Sequence, residues 1–267
     1  MADERPPLPK PRELHETAAL FVGGTSGVGL ASAVKFAAAG VPKIVLIGRN
    51  AERGEEARQK VLAAGPGVQV DFISADMNNV TDAERAVNEA HQKMGRIDVL
   101  LTTTHAGTVP CLFHKLDPQI MERKVLTHVM GVLYACRFTI PFMREQRSGS
   151  IITVSSDAAK IATPGEVVMG GLMAMVMMFT RTLAMEAKRD GIRCNVLTPA
   201  LITDTPSNLA LKNDPFAAKL FAAADRMAAL GLTNPDDQAD TVLFLASPAS
   251  ARLTGQAISV NGGMSAA

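Results

Sequence analysis

A glycine-rich loop near the start of the chain could hold a nucleotide. It reads GGTSGVG over residues 23–29, and it follows the apolar run TAALFV. Glycines let the backbone turn tightly and approach a pyrophosphate, and a helix that follows offers free N–H groups and the positive end of its dipole. Thr25 and Ser26 add hydroxyls within reach of phosphates. Because the motif lies at the first strand–helix turn, it predicts a nucleotide site, with a plain glycine-rich turn as the alternative.

The end of the second apolar run bears on which nucleotide could bind. The run KIVLI is followed by Gly48, Arg49 and Asn50. Enzymes that prefer the unphosphorylated dinucleotide usually place Asp or Glu here, on the ribose 2′-hydroxyl. This chain has no carboxylate there, the glycine leaves room, and the planar guanidinium of Arg49 could bind a 2′-phosphate. We therefore predict NADP(H) as the cofactor, with a surface arginine in a strand–helix turn as the alternative.

Seven apolar runs alternate with helical segments and must position these residues. The runs lie in TAALFVGG, KIVLIGRN, VQVDFISAD, RIDVLLTTT, SIITVSS, IRCNVLTPA and QAISVNGG. Predicted helices include a long one over about residues 118–144 and one with six methionines over residues 166–186. The alternation predicts an α/β protein with a single Rossmann-type doubly wound seven-stranded parallel sheet and helices on both faces. Residues 17–267 form one domain in this interpretation, after a flexible Pro-rich tail at residues 1–16.

Composition argues against several classes of protein. A hydrophobic share of 47% suffices for a substantial core, and a net charge of +1 gives no basic footprint for nucleic acid. No apolar run reaches eighteen residues without a charge, so we expect no membrane span. Cys111, Cys136 and Cys194 lie far apart and match no metal spacing. We expect reduced core thiols, no metal site and a cytoplasmic protein.

Motifs along nearly the whole chain resemble those of the short-chain dehydrogenase/reductase family. The glycine loop is similar to the family's TGxxxGxG, SIITVSS to its strand with the active-site serine, and residues 236–263 to its C-terminal helix and strand. The resemblance implies a homo-oligomer, tetramer or dimer, in which the methionine-rich helix pairs with its copy. It implies that the cofactor is bound by Gly23, Thr25, Ser26, Gly27, Val28, Gly29, Arg49, Asn50, Asp76, Met77, His105, Gly107, Pro199, Ile202 and Thr203.

The family's chemistry uses Ser, Tyr, Lys and usually an Asn, and this chain keeps only the serine. Thirteen residues after Ser156, Met169 stands at the tyrosine position, and Met173 stands at the lysine position. The match of the long helix puts His128 at the asparagine position. No shift of the alignment restores the pair, because the only tyrosine, Tyr134, is not followed by lysine four residues later.

Two methionines cannot do what this pair does. In the family, the tyrosine exchanges a proton with the substrate oxygen while hydride moves, and the lysine lowers the phenol's pKa and holds the nicotinamide ribose. A thioether donates no proton and accepts hydrogen bonds weakly. Loss of a positioned general acid costs about 10²- to 10⁴-fold in rate. Residues at i and i+4 share a helix face, so Met169 and Met173 should form an apolar wall of the cleft.

Three hypotheses about function remain open. An NADP(H)-dependent oxidoreductase would hold a carbonyl or hydroxyl compound on Ser156 and relay the proton through His128, whose alternative role is a structural hydrogen bond to the backbone. A non-redox isomerase, dehydratase or lyase would also suit the motifs. So would a catalytically inactive nucleotide-binding protein. A Ser–His–Asp hydrolase is disfavoured, because no glycine-flanked nucleophile turn surrounds Ser156.

Two further segments border the expected substrate site. Asp157, Lys160 and Glu166 lie between Ser156 and the methionine-rich helix, and we expect them to be solvated loop charges, with a role on the substrate as the alternative. Residues 204–234, rich in Ala, Leu and Lys, occupy the position of the family's variable lid. Their apolar character predicts a mainly hydrophobic small-molecule ligand.

Overall fold

Short apolar strands form the central sheet. The computed structural model describes residues 7–104, 109–205, 208 and 213–266. The strands are β1 (Ala18–Val22), β2 (Lys43–Gly48), β3 (Gln69–Ser74), β4 (Val99–Thr102), β5 (Gly149–Val154), β6 (Ile192–Leu197) and β7 (Ala257–Ile258). They pair in parallel in the order β3-β2-β1-β4-β5-β6-β7. The inner strands β1, β4 and β5 are buried along their whole length because both faces of the sheet are covered. The predicted seven-stranded parallel α/β fold is confirmed.

Helices pack on both faces of the sheet, as predicted. They are α1 (Gly27–Ala38), α2 (Ala51–Ala64), α3 (Val80–Met94), α4 (Pro118–Val125), α5 (Gly131–Gln146), α6 (Val167–Ala187), α7 (Pro215–Met227) and α8 (Pro235–Ala246). On one face, α3, α5 and α6 form a core with Leu20 and Leu100. On the other, α1, α2 and α8 form a second core with Phe21 and Leu101. The alternation of strand side chains assigns neighbouring residues to opposite cores.

The long helix predicted at residues 118–144 is not regular. It runs from α4 to α5 through a π-helical segment, Leu126–Met130. A π turn holds one residue more than an α turn. Each residue of an α-helix turns the chain by about 100°, so α4 is rotated about the helix axis by about this angle compared with a regular helix of the same length. Position 124 faces the interior as a result. Lys124 is only 9% exposed, whereas Val125 is 42% exposed.

Part of the predicted tail contacts the domain. Residues 14–16 form a 3₁₀ turn, Arg12 Nε lies 3.9 Å from Asp98 Oδ1, and Arg147 Nη1 donates to the Pro7 carbonyl oxygen at 3.4 Å. Residues 7–16 therefore differ from the prediction of a flexible segment.

The structure bears on two further expectations drawn from composition. The stretches Pro118–Gln146 and Val167–Asp190 are long and apolar enough to cross a membrane by length and composition. Both nevertheless pack on the sheet as flanking helices of the domain. Cys136 and Cys194 are buried, and burial raises the pKa of the Cys194 thiol to about 12. Cys111, expected in the core, is only half-buried.

Gly191, between α6 and β6, is held by backbone conformation and by close contact. Its φ is 74°, and a Cβ there would lie 2.3 Å from the Arg147 carbonyl oxygen. Gly95 has φ 76° and open space around it. Gly95→Ala should lower the free energy of unfolding by about 1–2 kcal/mol, and Gly191→Ala by a further ~1–3 kcal/mol. Urea unfolding followed by far-UV circular dichroism measures both losses, and equal losses would contradict the close contact.

Candidate functional site

The loop after β1 has no room for a side chain at Gly23 or at Gly29. A Cβ at Gly29 would lie 2.4 Å from the Gly23 carbonyl oxygen, and a Cβ at Gly23 would lie 2.6 Å from Thr103 Oγ1. Thr103 Oγ1 in turn donates to the Gly23 carbonyl oxygen at 3.1 Å. Ser26 begins α1, and its side chain makes no capping hydrogen bond to the helix. The backbone of the loop and the start of α1 thus form a cradle, and a group bound there would meet backbone atoms at Gly23 and Gly29.

A cavity of about 130 Å³ opens beside this loop, at the carboxyl ends of β1 to β4. It is lined by Gly23, Thr25, Ser26, Ile47, Gly48, Arg49, Arg53, Ala75, Asp76, Met77, Asn78, Thr103, Thr104 and Thr127. Ligands of open parallel sheets bind at this edge. The structure therefore brings together Gly23, Thr25, Ser26, Arg49, Asp76 and Met77 of the predicted cofactor residues.

Some predicted cofactor residues lie elsewhere. Gly27, Val28 and Gly29 continue the loop into α1, while His105 and Gly107 lie outside the described residues. Asn50 does not line the cavity; its Oδ1 begins α2 by accepting the Arg53 N–H at 2.8 Å.

The segment after β6 lies outside the cavity lining and borders the start of α1. Pro199, Ile202 and Thr203 do not line the cavity either. Ile202 pairs with Thr233, and the Thr205 methyl lies 3.6 Å from where a Gly27 Cβ would stand. The end of this segment therefore approaches the start of α1.

Sequence reasoning missed several residues of the cavity. Arg53 Nε donates to Thr25 Oγ1 at 3.3 Å, which places a second guanidinium beside Arg49. Its position four residues after Arg49, on the first turn of α2, was the available signal. Asn78 and Thr104 gave no such signal, because the folding of separate segments brings them to the cleft.

Two buried polar atoms of the cleft lack a hydrogen-bond partner among the described residues. They are Asn78 Oδ1 and Thr104 Oγ1. A Cβ at Gly131 would lie 3.2 Å from both atoms, so the two face one point. Buried polar atoms are normally paired. With the backbone cradle and the two arginines, this arrangement fits a phosphorylated dinucleotide.

Ser156 lies two residues after the end of β5, at a short turn. Its Oγ accepts the Ala158 N–H at 3.2 Å, at the start of the 3₁₀ turn Asp157–Ala159. The neighbouring Ser155 donates to the Met173 carbonyl oxygen at 2.7 Å. A Cβ on Gly170 would lie 2.8 Å from the Ala158 carbonyl oxygen. The serine turn thus packs directly on the first turns of α6.

The two methionines differ in their surroundings. Met169 is partly buried and packs against the core beneath α6, and it retains exposed surface. Met173 is 1% exposed and belongs to that core. Met173 therefore fills interior volume and does not form the expected wall of the cleft, whereas Met169 has the partial exposure that such a wall requires.

His128 is almost completely buried within the π segment. Its Nδ1 donates to the Lys124 carbonyl oxygen at 2.8 Å, and Thr127 Oγ1 lies 3.2 Å from the same nitrogen. These contacts favour the structural hydrogen bond that was the alternative to a proton relay.

The charges after Ser156 are not solvated, contrary to expectation. Asp157 is buried, its Oδ1 accepts the Ser265 hydroxyl at 2.7 Å, and it lies 3.7 Å from Lys160 Nζ. Lys160 also donates to the Ser259 hydroxyl. Glu166 is half-buried, and burial raises the pKa of its carboxyl. The partners in the C-terminal segment lie about a hundred residues away in sequence, which hid them from sequence reasoning.

Comparison with known proteins gives a consistent set of relatives. Residues 22–265 match a family model described as enoyl-(acyl carrier protein) reductase. The 3-oxoacyl-[acyl-carrier-protein] reductase FabG of Chlamydia pneumoniae is 32% identical, over 92% of this chain and 95% of its own. Glucose 1-dehydrogenase of Gluconobacter oxydans is 30% identical, over 92% and 90%. A short-chain type dehydrogenase/reductase of Mycobacterium ulcerans superposes with a TM-score of 0.86 at 25% identity, over 95% and 91%.

The cradle can be closed by one methyl group. Gly29→Ala would put a Cβ against the Gly23 carbonyl oxygen, so the loop must move away from the position that fits a pyrophosphate. We expect affinity for NADPH to fall at least tenfold, or about 1.4 kcal/mol. A fluorescence titration measures it, with Gly95→Ala as a control that leaves affinity unchanged. Unaltered binding by Gly29→Ala would show that the loop does not hold the nucleotide.

Proposed function

Because the chain belongs to the short-chain dehydrogenase/reductase family, we propose that it is an NADP(H)-dependent oxidoreductase with an atypical active site. Members of this family bind nicotinamide cofactors, act on small molecules and commonly form oligomers. The observation that carries the choice of NADP(H) is the pair of guanidiniums, Arg49 and Arg53, in the cavity beside the end of β2. Two fixed positive charges suit a 2′-phosphate and replace the carboxylate that would bind a 2′-hydroxyl.

Different residues of the cleft would bind different parts of the cofactor. The loop from Gly23 to Gly29 would take the pyrophosphate on backbone N–H groups. Asp76, Asn78 and Thr104 would meet the adenosine half. The nicotinamide, when bound, supplies or accepts a hydride.

Ser156 is the proposed holder of the substrate oxygen. Because its Oγ accepts the Ala158 N–H, the hydroxyl hydrogen remains available to donate to a carbonyl oxygen. Met169 borders the same place and excludes water there without exchanging protons. Ser155, through its bond to the Met173 carbonyl oxygen, fixes the spacing between the serine turn and α6.

We propose a hydrophobic carbonyl or hydroxyl compound as substrate. Met169 has exposed surface, Val167 is highly exposed, and Phe216 of α7 lies over Gly165. The relatives' names cite substrates as different as acyl-carrier-protein thioesters and glucose. The apolar lining is therefore a better guide to substrate class than any one relative. The buried, reduced thiols support a cytoplasmic location.

The cofactor choice is tested by removing the guanidiniums. Arg49→Ala with Arg53→Ala should weaken NADPH binding about 10- to 100-fold, since a hydrogen bond to a charged group contributes about 1.5–3 kcal/mol. Affinity for NADH should stay within about twofold. Arg58→Ala on the same helix, where the arginine pairs with Glu55, is the matched control. A variant that binds both nucleotides like the parent protein would rule out NADP(H) selection by this pair.

The redox character is tested separately by the absorbance of bound NADPH. An oxidoreductase consumes that absorbance when a suitable carbonyl compound is added. A non-redox enzyme would convert its substrate with the cofactor spectrum unchanged, and an inactive nucleotide-binding protein would convert none.

We also propose that the outer faces of α5 and α6 form a subunit interface. A groove of about 720 Å³ runs between them, lined by Tyr134, Arg137, Ile140, Phe179 and Leu183 among others. Met175, Met178 and Met185 are exposed on α6. An apolar surface of this kind is typical of an interface.

A charge on this face should separate the subunits. Met178, 55% exposed, becomes Glu in one variant, and Val80, 48% exposed at the start of α3, becomes Glu in the control. Only Met178→Glu should shift the protein to a smaller species in light scattering after size exclusion, because a desolvated unpaired charge is costly. An unchanged mass for Met178→Glu would place the interface elsewhere.

A further inference from the structure

The only buried residue of α4 is a lysine. Lys124 faces inward, whereas Glu122, Arg123 and Val125 are exposed. Taking an ammonium group out of water is unfavourable unless another charge compensates it. Among the residues that the structure describes, the Lys124 ammonium makes no hydrogen bond or close ion pair. The π segment, which turns this position inward, therefore puts a lysine with an uncommitted ammonium on the buried side of α4.

A carboxyl group at the start of α6 is within electrostatic range of this charge. Glu166 immediately precedes α6 and is half-buried. Burial raises the pKa of its carboxyl, and the positive charge of Lys124 acts in the opposite direction. A proton can therefore remain on Glu166 at a higher pH than on a carboxyl in water, and Lys124 stabilises the ionised form.

The position of Glu166 is enclosed on the substrate side. The Cys111 N–H donates to the Gly165 carbonyl oxygen at 2.8 Å. A Cβ on Gly165 would lie 2.7 Å from the Phe216 ring and 3.1 Å from Pro110. The loop at residues 109–112 and the lid helix α7 thus close over the residue before Glu166.

Glu166 is the N-cap of α6. The Gly170 N–H donates to its carbonyl oxygen at 2.6 Å, which closes the first turn of the helix. Glu166 is therefore one turn before Met169, which stands where the family has its tyrosine. The serine turn packs on this same first turn of α6, through the contact of Gly170 with Ala158.

We propose that Glu166, within range of the positive charge of Lys124, is the proton donor and acceptor of this site in the place of the absent tyrosine. The inference rests on the proposed oxidoreductase function. In reduction, the carbonyl carbon accepts a hydride from the reduced nicotinamide while the carbonyl oxygen, held by Ser156, accepts the carboxyl proton of Glu166. The products are the alcohol, the oxidised nicotinamide and the Glu166 carboxylate, which regains a proton from solvent. Oxidation of the alcohol runs the same steps in reverse.

Other groups around this turn are committed. The titratable or charged groups on the elements packed against it are Cys111, Lys124, His128, Asp157 and Lys160, and the exposed side chains of Glu122, Arg123, Lys219, Asp225 and Arg226. His128 donates to a backbone carbonyl, and Asp157 and Lys160 bind each other and the C-terminal serines. Lys124 is the charge that acts on Glu166.

Glu166→Gln tests the proposal, with Glu122→Gln on the exposed face of α4 as the matched control. With a panel of aliphatic and aromatic ketones and aldehydes, the wild-type protein should consume NADPH. Glu166→Gln should lower kcat about 10²- to 10⁴-fold and leave the affinity for NADPH unchanged, and Glu122→Gln should change neither. In Lys124→Gln, loss of the positive charge raises the pKa of Glu166, so the fall of kcat with rising pH should move to higher pH.

The outcomes separate this inference from the proposed function. If the wild-type protein reduces a carbonyl compound and Glu166→Gln is equally fast, Glu166 is not the acid, while the oxidoreductase proposal stands. If the wild-type protein binds NADPH but reduces nothing in the panel, the oxidoreductase proposal fails and the role of Glu166 fails with it.

A measurement without turnover tests the pair directly. In protein labelled with ¹³C at glutamate carboxyls, the Glu166 signal is the one missing from Glu166→Gln. It should titrate above the ordinary value of 4.5, and higher still in Lys124→Gln. Titration at or below the ordinary value, or no response to Lys124→Gln, would overturn the proposal.

Discussion

The whole arrangement depends on the way β1 ends. This strand is completely buried between β2 and β4. The chain leaves it at Gly23, and Gly23 and Gly29 both pack against Thr103. Because no side chain fits between Gly23 and Gly29, the backbone itself becomes the floor of the cleft. Parallel pairing then brings the carboxyl ends of the other strands to the same edge. Arg49, Asp76 and the serine turn lie along the same edge of the sheet for that reason, although each comes from a distant part of the sequence.

Much of this could be predicted from the residues, and the limits have physical causes. Apolar runs bounded by glycine identified the strands, since burial on both faces leaves a direct mark on composition. The glycine loop and Arg49 were found because their chemistry depends on local spacing. Asp157 and Lys160 were expected in solvent because their partners, Ser259 and Ser265, are brought close only by tertiary folding.

Methionine has different structural consequences at positions 169 and 173. At position 173 a buried, flexible side chain fills the space under α6, and burial of apolar surface stabilises the fold there. At position 169 the same residue type keeps exposed surface beside the serine turn and shapes the cleft. Helical spacing predicts that both lie on one face but not how deep each lies, because depth is set by the curvature of neighbouring elements.

The π segment has a consequence for how this site could arise in evolution. A π turn holds one inserted residue, and the number of residues in a helix is changed by insertion or deletion rather than by substitution. The five residues Leu126–Met130 turn the chain about as far as four residues of a regular α-helix, so removing one of them would restore a regular helix and leave α4 nearly in its present orientation. If the same five residues formed a regular helix instead, α4 would turn by about 100° and Lys124 would leave its inward position. The inward position of Lys124 thus depends on the π turn as well as on the identity of the residue.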